Sequence, residues 1–150
     1  MKTVFDKATR EELIKRINGL NDGIEPQWGK MNVYQMIKHC TLFEEIMLGK
    51  KTHKRMFIGR LFGKMALKSN LKADHLKKNM PTLPWVKIKE TENGDVPSVR
   101  SKWIALIAEY GQFSAKEIIH PFFGKMTKGQ IGQFAYKHTD HHLRQFNIWR

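Results

Sequence analysis

Apolar side chains return every three or four positions in four stretches of this chain, and each stretch predicts a helix. Leu13, Ile17 and Leu20 follow Thr9-Arg10-Glu11-Glu12, a capping-box pattern, so a first helix is expected near 10–20, ended by Asn21-Asp22-Gly23. In "NVYQMIKHCTLFEEIMLGK", Asn32 with Gln35 three residues on is a start signal and Gly49 a stop. Met36, Cys40, Phe43 and Met47 form its stripe, placing a second helix near 33–48. Val99, Trp103, Leu106, Ile107 and Tyr110 predict a third near 97–112, and Thr127 with Gln130 opens a fourth near 128–147. The segment "THKRMFIGRLFGKMALKSN" also has helical spacing, with Met56, Leu61, Met65 and Leu67 expected to pack, the bases to face water, and Gly59 and Gly63 to weaken the helix. "NMPTLPWVKIKETENGDVP" reads as a loop in which Val86 to Lys89 could be extended, and "HPFFGKM" as a second loop. Almost no strand signal is present. The expectation is an all-α four-helix bundle, one domain over residues 1–150, with an additional helix between the second and third bundle helices.

Composition adds a sign to this outline. Hydrophobic residues make up 41%, enough for a core in a chain of 150 residues, with no internal repeat or low-complexity tract. The single cysteine, Cys40, excludes an intrachain disulfide and suits a reducing compartment. The opening "MKTVFDKATREELI" lacks the apolar stretch of a secretory leader, and no apolar run approaches ~18 residues, so a cytoplasmic location without a membrane span is expected. A net charge of +13 fits nucleic acid, an anionic membrane surface or an acidic small molecule, or simply high solubility. From Lys50 to Lys78 the only acid is Asp74, which makes that segment either a solvated lysine-laced helix or a contact with nucleic acid or membrane.

The histidines change the picture most. "YKHTDHHLRQF" holds three of the seven. At about 100° per residue, Ile131, Phe134, Ala135, His138, His142, Gln145 and Trp149 share one face of the fourth helix, with His141 at its margin and Asp140 and Arg144 pointing away. Asn32, Met36, His39, Phe43 and Met47 share a face of the second. Two histidines at i and i+4 on an apolar face bring their nitrogens to one point, and His39 makes a third. Three imidazoles with an open position are the ligand set of a reactive divalent-metal site, with zinc or nickel the leading candidates. A lone inward His39 would otherwise be a hydrogen-bonded core residue.

The runs His120-Pro121-Phe122-Phe123-Gly124-Lys125-Met126-Thr127 and His138-Thr139-Asp140-His141-His142-Leu143-Arg144-Gln145-Phe146, together with Trp28 to His39, resemble the DinB/YfiT-like superfamily of metal-dependent four-helix-bundle proteins. The likeness runs from Trp28 to Phe146 and is nearest to an uncharacterised branch. It implies that His39, His138 and His142 bind the metal and that the protein is a homodimer. It also implies an enzyme of the class that includes bacillithiol- or mycothiol-dependent transferases and a maleylpyruvate isomerase, with some members called hydrolases.

An ion held only by imidazoles keeps its full charge, so it can activate water or hold a thiol as thiolate. Hydrolysis wants a neighbouring base. With Glu44, Glu45 and Asp140 all read as pointing elsewhere, thiol S-transfer to a small-molecule substrate is the favoured expectation, with a low-molecular-weight thiol as cosubstrate. Metal-dependent hydrolysis is the alternative, and nucleic-acid binding with structural histidines the competing class. His120 is a candidate catalytic base or substrate contact, or only a brace for its turn. His141 would orient a ligand or be solvated, Cys40 would be a small core residue, and Trp28, Trp85, Trp103 and Trp149 would line the core or a pocket.

Overall fold

A computed structural model describes residues 1–149. It is mostly helical, with helices α1 (Lys7–Asn18), α2 (Val33–Met47), α3 (Phe57–Lys72), α4 (Val96–Glu109) and α5 (Lys128–Gln145). Strands β1 (Glu117–His120) and β2 (Gly124–Thr127) form an antiparallel hairpin just ahead of α5, with His120 paired to Gly124. Single 3₁₀ turns lie at Pro84–Val86 and Tyr110–Gln112.

Two helix starts are as expected. Asn32 and Gln35 form a reciprocal capping box on α2, and Thr127 and Gln130 form one on α5. Gly49, at φ 75, ends α2 in the left-handed region that glycine enters without cost. The first helix corrects the expectation: its cap is Asp6, whose carboxylate accepts from the Thr9 amide, so Thr9 lies inside the helix and the Thr9–Glu12 pattern is not its start. The loop expected around "HPFFGKM" is the hairpin, which corrects the nearly strand-free reading. Val86 to Lys89 is not a strand.

α2 lies along α4 and meets α5, and the core sits among α1, α2, α4 and α5 around Leu13, Met36, Ile37, Trp103, Ile107 and Ile131. Trp149, expected on the inward face of the last helix, lies beyond α5 and is half-exposed, because Asn147 takes a left-handed φ of 60 and turns the chain out. α3 stands apart, against the hairpin and α5. Its inward residues are Gly59, Gly63 and Leu67, while Leu61 and Met65, expected to pack, face solvent. The cause is backbone proximity: a Cβ on Gly59 or Gly63 would lie 2.4 or 2.1 Å from the Phe122 carbonyl oxygen.

Candidate metal centre

The capping box of α2 sets the phase that turns His39 inward beside Met36 and Phe43, and the box on α5 does the same for His138 and His142. One ring nitrogen from each of the three lies within 4.8 Å of the others. No other group of histidine, cysteine or acidic side chains among the described residues offers such an arrangement, and no carboxylate belongs to it. The ring centroids are 5.2 Å (His39–His138), 4.9 Å (His39–His142) and 4.6 Å (His138–His142) apart.

Hydrogen bonds behind the rings decide what each presents. His39 Nδ1 lies 2.8 Å from the Val86 carbonyl oxygen, which can only accept, so Nδ1 carries the proton and Nε2 a lone pair. The Gln145 amide nitrogen donates to the Trp28 carbonyl at 2.9 Å, which turns its Oε1 towards His142. His142 Nδ1 donates to that oxygen at 2.8 Å, leaving its Nε2 also unprotonated. His138 stacks on Phe43 with centroids 3.6 Å apart and planes at 14°. Its Nε2 is 3.2 Å from His39 Nε2, while its Nδ1 is buried with no partner.

Burial pulls the pKa of all three imidazoles down. For His138 and His142 the drop is large, with the neighbouring rings adding to it, while the Val86 bond to His39 and the Gln145 bond to His142 act weakly the other way. The rings are thus neutral, the form that ligates metal. A proton on His138 Nε2 would donate to the His39 lone pair, but whichever nitrogen of His138 holds the proton, its buried Nδ1 goes unsatisfied. Two nitrogens on a tetrahedral zinc-sized ion stand about 3.3 Å apart; His39 and His138 Nε2 are 3.2 Å apart, and the three nitrogens as a set lie within 4.8 Å of one another. The donor set therefore fits a divalent ion, with Val86 and Gln145 orienting its ligands from behind.

The other candidates fall elsewhere. His120 is buried, and its Nδ1 accepts from the amides of Phe122 and Phe123, both at 3.1 Å, so it braces the hairpin turn. Burial and the Arg55 guanidinium push its pKa down to about 4. His141 is half-buried with its ring edge-to-face against Trp28 and against His142, beside the cluster and outside it. Cys40 is a core residue, with Sγ 3.7 Å from Met36 Sδ and its thiol pKa raised by burial. Trp103 is core and Trp85 stacks on His53.

The acids correct the sequence reading. Glu44 is fully buried and accepts hydrogen bonds from the Tyr110 hydroxyl and, at 3.1 Å, from the Thr139 hydroxyl. Glu45 is buried and paired with Lys102, and Asp140 is buried and paired with Arg16 at 2.8 Å. None of them enters the three-histidine group. Val86 and Gln145 were not foreseen as supports; the i, i+3 spacing of His142 and Gln145 on one helix face was the available signal for the second.

The family described as a protein of unknown function (DUF1569) matches residues 5–148. No curated protein and no solved structure matches the chain.

Proposed function

The chain belongs to the DUF1569 family, whose function is unknown, and from its own geometry we propose that it is a divalent-metal-dependent enzyme acting on a small molecule by thiol S-transfer. The observation that carries this reading is the convergence of three neutral imidazole nitrogens within 4.8 Å, from two helices, with no carboxylate among them. The likeness of the His120–Thr127 and His138–Phe146 runs to DinB/YfiT-like proteins supports it, and on this reading α1, α2, α4 and α5 would be the four bundle helices.

His39, His138 and His142 would hold the ion, zinc or nickel by donor type. When bound, it would supply Lewis-acid charge that favours thiolate over thiol. The chain's own residues do the rest. Val86 and Gln145 fix the tautomers of two ligands, and Phe43 fixes the ring plane of the third. Burial keeps all three rings unprotonated near neutrality. The net charge of +13 raises the local concentration of an anionic thiol or substrate.

Hydrolysis needs a base beside the nucleophile. The cluster offers no carboxylate, and the Nδ1 of His120 is committed to two backbone amides, which favours S-transfer over hydrolysis.

Elemental analysis of untagged protein tests the site. About one divalent ion per chain is expected, lost in His39→Ala, His138→Ala and His142→Ala. Gln145→Leu keeps all three ligands but frees the His142 ring, and is expected to weaken affinity about 10–100-fold. Absence of metal after reconstitution of folded wild-type protein overturns the site. Thiols titrated into cobalt-substituted protein should shift its visible spectrum; a spectrum indifferent to thiols removes the S-transfer reading and leaves the metal site standing.

A further inference from the structure

α3 carries its apolar residues on the wrong side for a core helix. Phe57, Ile58, Leu61, Phe62 and Met65 are exposed by between 50% (Phe62) and 77% (Phe57) of their surface. With about 100° per residue, they form a stripe centred about 180° from the face where Gly59, Gly63 and Leu67 meet the hairpin and α5. The exposure is imposed by the fold. Gly59 and Gly63 press against the Phe122 backbone, the Met56 amide donates to the Pro121 carbonyl at 2.9 Å, and Lys137 caps the Asn70 and Ala73 carbonyls at the other end. A helix fastened along one face and at both ends cannot roll its phenylalanines inward.

A cationic row runs beside the stripe. Arg60, Lys64, Lys68 and Lys72 are spaced i, i+4, all are exposed, and none pairs with a carboxylate among the described residues. Lys64, Lys68 and Lys72 line a groove of about 530 Å³ together with Leu67, Leu71 and Gln130. The whole segment from Lys50 to Lys78 has ten lysines and arginines against one acid, Asp74.

We propose that α3 is a peripheral docking surface for an anionic phospholipid membrane, with the apolar stripe entering the headgroup–acyl boundary and the Lys64–Lys68–Lys72 groove receiving lipid phosphates. The charge chooses the occupant. A second copy meeting this face through the same segment would bring ten further bases and one acid, so it supplies no counter-charge for the cationic row and adds like charge to like. Nucleic acid would satisfy the lysines and leave five large apolar side chains in water. An anionic bilayer satisfies both sets at once, which is the pattern of a helix lying in the interface plane. At 16 residues α3 is too short and too charged to cross.

The test is co-sedimentation of the full chain with vesicles of phosphatidylcholine alone and of phosphatidylcholine mixed with phosphatidylglycerol, at low and physiological salt. Binding to the anionic vesicles is expected, weakened by salt, and at least about tenfold weaker to the neutral ones. Lys64→Gln/Lys68→Gln/Lys72→Gln should lose about a hundredfold in affinity. Leu61→Ser/Met65→Ser should also lose binding while its thermal melt matches that of wild type, since both side chains are exposed. Three results overturn the proposal: equal binding to neutral and anionic vesicles, unaltered vesicle binding by the serine variant, or sedimentation of the wild type as a dimer that the serine variant converts to monomer.

Discussion

Glu44 is the residue whose environment departs furthest from what its type prefers. It is fully enclosed, and loss of water raises its carboxyl pKa to about 7, against the pull of hydrogen bonds from Tyr110 and Thr139. The sign of its effect on stability follows. The folded state holds the proton more tightly than the unfolded state, where the value is 4.5, so the contribution is full below that value and is lost as pH rises to about 7. Glu44→Gln removes this dependence. Its stability relative to wild type should climb by about 3 kcal/mol between pH ~4.5 and ~7 and level off above, read from urea midpoints across that range. The buried histidines act the other way, losing stability as pH falls through their unfolded value, and the difference between the two proteins cancels them. A helical wheel could not locate this carboxylate, nor Asp140. A wheel assigns one inward face per helix, whereas α2 and α5 are enclosed on several sides, and each acid is held by a partner far along the chain: a hydrogen bond from Tyr110 for Glu44, an ion pair with Arg16 for Asp140. The histidines were legible because i, i+4 spacing on an apolar face is a local property.

At the scale of elements, capping chemistry carried the most information. The boxes at Asn32 and Thr127 fix the phase of α2 and α5, and phase is what brings His39 to His138 and His142. The hairpin was not legible because its strands are four residues each and its turn, with φ 76 at Gly124, resembles any glycine loop in sequence. With the hairpin hidden, the two glycines of α3 read as weak points. They are contact points, since the Phe122 backbone occupies the space a side chain would fill. Gly63→Ala tests this directly. Helix propensity alone would stabilise by about 1 kcal/mol. A Cβ placed 2.1 Å from the Phe122 oxygen instead forces α3 off the hairpin, and the net change expected is a loss of about 1–2 kcal/mol. Greater protease sensitivity of the 50–78 segment would accompany it. A variant as stable as wild type would mean that α3 is not seated through these glycines.

Across the whole molecule, the segment after α5 is tied back to α1 by one side chain. Arg16 is buried; its Nη1 reaches Asp140 at 2.8 Å, and its Nε and Nη2 donate to the Ile148 carbonyl at 3.3 and 2.9 Å. Asp140 has a second cation, Arg144, at 2.8 Å, but that Nε–H is not aimed at the oxygen and finds no acceptor, so Arg16 is the partner that satisfies the carboxylate. This pair spans 124 positions and sits on α5 between the two histidines of the cluster, so it holds the helix that presents them. Removing one member of a buried pair leaves the other charged in a poor solvent, a cost of about 3–5 kcal/mol. Arg16→Ala should therefore destabilise by about 3 kcal/mol in urea unfolding, the remaining Arg144 keeping the loss at the lower end. Asp140→Asn keeps an acceptor for Arg16 but removes its counter-charge, and should cost at least as much. If the two variants unfold at the same urea concentration as wild type, the link between the chain's two ends contributes nothing to the fold, and the position of α5 must be set by packing alone.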